Sequence, residues 1–150
     1  MALSSAVNRS QLGAPRAYED ILRHIGRALL GLYFILPGIS KITGWEGSIA
    51  YMTQHGVPLV VPLLVLTIVL QIGGGAMLAI GFRARFVAFV LAGLALMINL
   101  FMHDFWNVYE GVDQAHEIQN FVKNLAIIAG LLYVAGTRPI FRGADAREVT

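Results

Sequence analysis

Between Asn99 and Asn124 the chain reads NLFMHDFWNVYEGVDQAHEIQNFVKN, and most of its unusual chemistry lies in this stretch. Two imidazoles, His103 and His116, stand among Asp104, Glu110, Asp113 and Glu117, with amides at Asn99, Asn120 and Asn124 and a cation at Lys123. Adjacent imidazole, carboxylate and indole in His103-Asp104-Phe105-Trp106 can bind a polar head group and relay a proton, because histidine titrates near neutrality. The same four residues also describe ordinary anchoring of an indole at a membrane surface. Lys41 and Gln71 are further polar side chains set in apolar surroundings.

Other chemistries find less support. Imidazoles suit zinc, copper or iron, but His55, His103 and His116 are separated by 48 and 13 residues, which is no ligand signature, and no metal is assigned. The absence of cysteine excludes disulfides, thiolate metal sites and a dithiol redox step carried by this chain. No phosphate loop, nucleophile elbow or paired-carboxylate motif is present. A net charge of +2 gives no nucleic-acid footprint.

The elements that must position these groups are apolar. With 57% hydrophobic and 13% charged residues in 150, the solvent expected for this chain is lipid. Residues 1–24 read as a polar arm followed by an interfacial lead-in, in which Pro15 can open a helix and Tyr18, Ile21, Leu22 and Ile25 recur at helical spacing. Four spans follow within a domain over 25–136, at about 25–42, 59–82, 86–105 and 118–135, each close to the length needed to cross about 30 Å of hydrocarbon. Pro37 with Gly38 predicts a kink in the first span, and residues 43–58 read as a loop. Arg83-Ala84-Arg85 is a very short connection, so the second and third spans are expected to be antiparallel neighbours. Residues 137–150 form a polar tail.

The fold class expected is therefore an all-α membrane protein, four transmembrane helices in an antiparallel bundle. All nine arginines lie in the N-terminal region, the connection between spans two and three, or the tail. By the positive-inside rule both termini are cytoplasmic and the loops carrying Trp45 and Trp106 face outward. Small residues at Gly74, Gly75, Ala79, Gly81, Ala126 and Gly130 predict close helix packing, which is how helices associate where water exclusion supplies no drive.

Counting along the spans puts Lys41, Gln71, Asn99, Lys123 and Asn124 in the outer half, near His103, Asp104 and Trp106. A charge at the centre of a span costs about 2.5 to 3.5 kcal/mol on insertion scales, so the lysines need a partner or an aqueous path. Glu46, Asp104, Glu110, Asp113 and Glu117 are the candidate partners. One reading is a polar pocket open to the outer face, built from the eight residues just placed at that depth. The other is that the lysines snorkel to the head groups and the amides bond neighbouring helices.

The strings GLYFILPGISKITGWEGSIAYM, QIGGGAMLAIGFRAR, HDFW and NFVKNLAIIAGLLYVA, in that order across residues 25–136, resemble the DoxX family of four-helix membrane proteins, with particular similarity to its YphA-like branch. The resemblance implies a multi-pass bacterial inner-membrane protein. It carries over Phe34, Gly38 and Lys41 in the first span, Gly74, Gly75 and Gly81 in the second, His103 and Trp106 after the third, and Lys123 and Asn124 in the fourth. Gln71 departs from it, where many relatives have a glutamate, and a neutral amide cannot shuttle a proton. The family's name comes from a small subunit of a thiosulfate:quinone oxidoreductase or terminal quinol oxidase. The implied role is an accessory subunit of a quinone-linked redox system, with a quinone as the candidate carrier and an oxidoreductase as the partner that supplies electrons, since haem and flavin motifs are absent. The alternative is a non-catalytic scaffold or homo-oligomer that packs through glycine-rich faces. Solute transport is less favoured, because the spans show no repeat and no midplane charge pair.

Overall fold

The computed structural model describes residues 17–137; the expected polar arm and nearly all of the tail lie outside the described residues. The chain forms helices α1 (Ala17–Thr43), α2 (Trp45–Gln54), α3 (Val60–Val69), α4 (Gly75–Ile80), α5 (Ala84–Met102) and α6 (Gln114–Gly136), with a π-helical turn, Leu70–Gly74, joining α3 to α4. Among the described residues there is no strand. Four stretches are long and apolar enough to cross a membrane: Tyr18–Thr43, Val60–Ile80, Ala84–Met102 and Gln114–Gly136.

The expected lead-in and first span are one helix, because no turn-forming dipeptide separates them. Glu19 and Asp20 sit in its first turn and Lys41 in its last, the charge order that complements a helix dipole. The helix runs on through Pro37. The stretch read as a loop over 43–58 is largely α2, too short and too polar to register as a span. Helix α6 begins four residues before the apolar run at Ile118, because Asp113 caps it, its carboxylate accepting from Ala115 N–H at 2.9 Å. The connection after α4 is Gly81–Arg83; Ala84 and Arg85 already belong to α5. Gly81 and Arg83 are both left-handed, at φ 83° and 46°, and the N–H groups of Gly81 and Phe82 close α4 onto Leu78 and Met77 carbonyls.

Packing pairs α5 with α6, and α1 with α4 and the π turn. The second pair depends on missing side chains. A Cβ on Gly75 would lie 2.7 Å from the Gly31 carbonyl oxygen, and one on Gly38 would lie 2.7 Å from Ile72 Cγ1. Gly74 meets Leu91 of α5, and Ala79 meets Gly31. The core beneath these contacts is Phe34, Leu78, Val87, Ala88, Leu91, Ala92, Ala95 and Leu131. Outside it, Leu29, Leu36, Val65, Phe89, Met97, Val122 and Leu132 are exposed, an arrangement suited to hydrocarbon surroundings and costly in water.

Candidate functional site

At one end of the molecule α1 finishes, α2 lies across, α5 stops and α6 starts. Three polar groupings form at this α2 end, the second and third joined through Tyr51 and His55.

The deepest ties three helices together. Tyr33 of α1 donates its hydroxyl to Asn124 Oδ1, Asn124 Nδ2 donates to Asn99 Oδ1 at 3.1 Å, and Asn99 Nδ2 donates to the Phe121 carbonyl at 3.2 Å. Both asparagines are buried. A chain of neutral, paired amides fixes helix rotation and carries no charge, so its role is structural.

The second grouping centres on Glu117. His103, just beyond α5, places Nδ1 2.6 Å from Glu117 Oε2, and the Tyr51 hydroxyl lies 3.2 Å from Glu117 Oε1 and 3.0 Å from the Met102 carbonyl. Glu117 is buried, yet both its oxygens have partners. Burial pushes the Tyr51 hydroxyl pKa well above its ordinary value, and the neighbouring Glu117 charge and hydrogen bond push it further. Tyr51 is thereby kept as a donor.

The third grouping surrounds Asp104. Its Oδ2 accepts from Asn107 Nδ2 at 2.6 Å and from the Tyr109 hydroxyl at 2.7 Å. The hydrogen bond to Asp104 raises the Tyr109 pKa, with burial adding to it. His55 stacks between Tyr51 and Tyr109, with ring centroids 4.2 Å from each. Its Nδ1 is 2.9 Å from the Tyr51 carbonyl, which can only accept, so Nδ1 carries a hydrogen. Its Nε2 faces Asp104 Oδ1 at 3.7 Å. At that separation Nε2 makes no hydrogen bond and is without a partner among the described residues.

Beside these groups lies an open recess of about 440 Å³, lined by Pro37, Ser40, Lys41, Gly44, Gly47, Ser48, Tyr51, Met52 and Met102. Tyr51 belongs to both the recess and the Glu117 grouping.

The residues singled out from sequence are thus distributed. Asn99 and Asn124 meet each other, while His103 and Asp104 take different partners. Lys41 lies on the recess wall. Gln71 is buried on the π turn, its Oε1 without a hydrogen-bond partner among the described residues. Trp106 is 54% exposed, edge-on to Phe105 and Phe121. Lys123, placed from sequence in the outer half of the fourth span, is exposed and donates to Asn120 Oδ1 at 2.7 Å, one turn back on its own helix. Among the described residues no carboxylate pairs with either lysine; Glu117 takes His103 and Tyr51, Asp104 takes Asn107 and Tyr109, and Asp113 caps α6. The imidazoles do not gather: His55 and His103 serve different acids and His116 is exposed. Of the packing residues, Gly74, Gly75, Ala79 and Gly81 are turned to neighbours within the chain, a Cβ on Gly130 would lie 3.9 Å from Leu30 Cδ2, and Ala126 is exposed.

Tyr51, His55, Glu117 and Tyr109 were not among the residues proposed from sequence for the pocket. Their signal was spacing. Tyr51 and His55 stand four apart on one face of α2, and Glu117 and Asn124 seven apart on one face of α6.

Four long apolar helices with a polar network at one end define a multi-pass integral membrane protein. The comparisons make this specific: the DoxX family profile matches residues 22–104, and the chain belongs to the DoxX family. It is 38% identical over 122 residues to the inner membrane protein YqjF of Escherichia coli K12, covering 81% of this chain and 87% of that protein. It is 27% identical to the inner membrane protein YphA of the same organism, over 82% of this chain and 87% of YphA. A Surfeit locus protein 4 homolog of Schizosaccharomyces pombe is 34% identical over 76 residues, 50% of this chain and 25% of that protein. No solved structure matches the chain. This is a multi-pass inner-membrane protein.

Proposed function

We propose that the recess at the α2 end binds the polar head group of a lipid-soluble carrier of quinone type, and that the chain serves as a membrane subunit of a redox system. The observation that carries this reading is the double membership of Tyr51. A carrier oxygen entering the recess meets the Lys41 ammonium and the Ser40 and Ser48 side chains, with the Tyr51 phenol on the same wall. Behind Tyr51, Glu117 and His103 form a pair able to take up or release a proton. Reduction of a quinone to a quinol consumes two electrons and two protons. This chain's residues can hand on protons, and the electrons come from a partner oxidoreductase, because the chain has no cysteine for a dithiol step. The carrier's tail would lie along the exposed aliphatic side chains of α1.

The membrane orientation belongs to the same proposal. Arg23, Arg27, Arg83 and Arg85 lie at the opposite end from α2, which supports an antiparallel four-helix bundle with both termini cytoplasmic and the recess facing outward. A scaffold that binds a partner through its glycines is supported less well, since Gly31, Gly74 and Gly75 are occupied by contacts within the chain.

The test is mass spectrometry of lipids and quinones retained by the detergent-purified protein, comparing wild type with Lys41→Met and Tyr51→Phe. Loss of a retained quinone in both variants, with helix content intact, is the expected result. A quinone retained equally by all three proteins, or none in the wild type, overturns the proposal.

A further inference from the structure

At the end opposite α2, a cleft of about 1030 Å³ opens between α1 on one side and α5 and α6 on the other. Four arginines line it, Arg23, Arg27, Arg83 and Arg85, against one acid, Glu19. Three of the four have an internal contact. Arg23 pairs with Asp20 at 3.2 Å, Arg85 Nε donates to the Ala135 carbonyl at 3.0 Å, and Arg83 lies over the Phe82 ring at 5.9 Å. Arg27 differs. Its guanidinium rests on Gly81, where a Cβ would come within 3.0 Å of Cζ and both terminal nitrogens, and its buried Nε has no hydrogen-bond partner among the described residues. An arginine inside a spanning helix requires a counter-charge or water. Here the cradle positions the guanidinium, and the described residues give its Nε no acceptor.

The rest of the cleft has a different character. Its wall includes Leu22, Leu30, Phe86 and Val134, and it exists because Gly26 and Gly130 project nothing into it; a Cβ on Gly26 would meet nothing within 4 Å. A basic mouth over an apolar groove matches a molecule with an anionic head and a hydrocarbon body. Arginine suits the head well, since its planar fork meets phosphate oxygens with two parallel hydrogen bonds.

We propose that this cleft is a binding site for an anionic phospholipid, with the phosphate at Arg27 and an acyl chain between α1 and α6. The site is independent of the recess at the α2 end and lies between two helices that the Tyr33–Asn124 hydrogen bond already joins. Basic pockets between membrane helices are established sites for such head groups.

The experiment uses the full chain in zwitterionic detergent, titrated with phosphatidylglycerol, phosphatidylcholine or inorganic phosphate, and followed by native mass spectrometry and thermal unfolding. The expected result is retention of phosphatidylglycerol in preference to phosphatidylcholine, weakened about fivefold in Arg27→Gln, which is one arginine's share of such an attraction. Gly26→Phe, which fills the cleft and keeps every charge, should also lose the lipid, so the proposal stays testable if Arg27→Gln fails to fold. Equal binding of both lipids, or phosphatidylglycerol binding unchanged in Gly26→Phe, overturns it. So does inorganic phosphate that stabilises as much as phosphatidylglycerol, because the ligand is then a free anion.

Discussion

The two ends of the molecule handle charge in opposite ways. At the α2 end both buried acids are answered from within the chain, Glu117 by His103 and Tyr51, Asp104 by Asn107 and Tyr109, and His55 Nε2 alone in this cluster has no hydrogen-bond partner among the described residues. At the arginine end positive charge exceeds negative among the described residues, and Arg27 Nε is buried there with no hydrogen-bond partner among them. A balanced, hydrogen-bonded cluster keeps its geometry without a ligand and is suited to moving protons. An unbalanced one calls for something from outside. The comparison teaches that a polar group in a membrane protein is best read by whether its partners are already present, more than by its depth.

The comparison can be broken most severely at Glu117. Glu117→Ala would leave His103 Nδ1 without its acceptor inside a buried site, while Tyr51 keeps only the Met102 carbonyl, a loss of about 3 kcal/mol, measured by thermal unfolding in detergent. Glu117→Gln keeps an acceptor oxygen and should fall between that variant and wild type. The arginine end should respond less. Gly81→Ala puts a side chain at φ 83° and presses on the Arg27 guanidinium; left-handed strain alone costs about 1 to 2 kcal/mol, and the same variant should retain less phosphatidylglycerol.

Alkali offers a gentler test of the α2 end. The folded-state pKa values of Tyr51 and Tyr109 are raised above the unfolded phenol value, so the stability they contribute is complete below about pH 10 and is lost as pH rises through the folded values. Unfolding temperature should therefore fall above about pH 10, and Tyr51→Phe should flatten that fall. A wild-type profile that is flat into strong alkali would count against the buried phenol. The smallest effect belongs to Lys123→Met. That side chain is exposed and bonded only to Asn120, so stability should change by no more than about 0.5 kcal/mol, and quinone retention should match wild type where Lys41→Met does not.

Much of the fold was legible because hydrophobic run length reports membrane spans directly, and Val60–Ile80 and Ala84–Met102 fall within a few residues of the expected bounds. The stretch from Asn99 to Asn124 also holds much of the polar network, as its composition suggested. What could not be read was helix rotation. Lys123 and Asn124 are adjacent, yet one is exposed and the other buried, because neighbouring positions differ by about 100° around a helix. Helix α2 was hidden by its shortness and polarity, and with it the contributions of Tyr51 and His55. Asp113 offered a cap signal for the early start of α6, which is what turns Glu117 inward.

The π-helical turn leaves no mark in residue type, since it is a pattern of backbone bonding. It places one residue more in its turn than an α-helix would, and so acts as a phase slip along the span. Everything from Gly75 onward is turned by about 100° relative to an uninterrupted helix. Gln71 and Gly75, four residues apart and so on one face, are both presented to α1, one at Gly38 and the other at Gly31. Deleting Gly73, whose Cβ position is open, would reset the phase and trade the glycine contact for bulkier neighbours. The two halves of this span are thus geared to each other by a single residue.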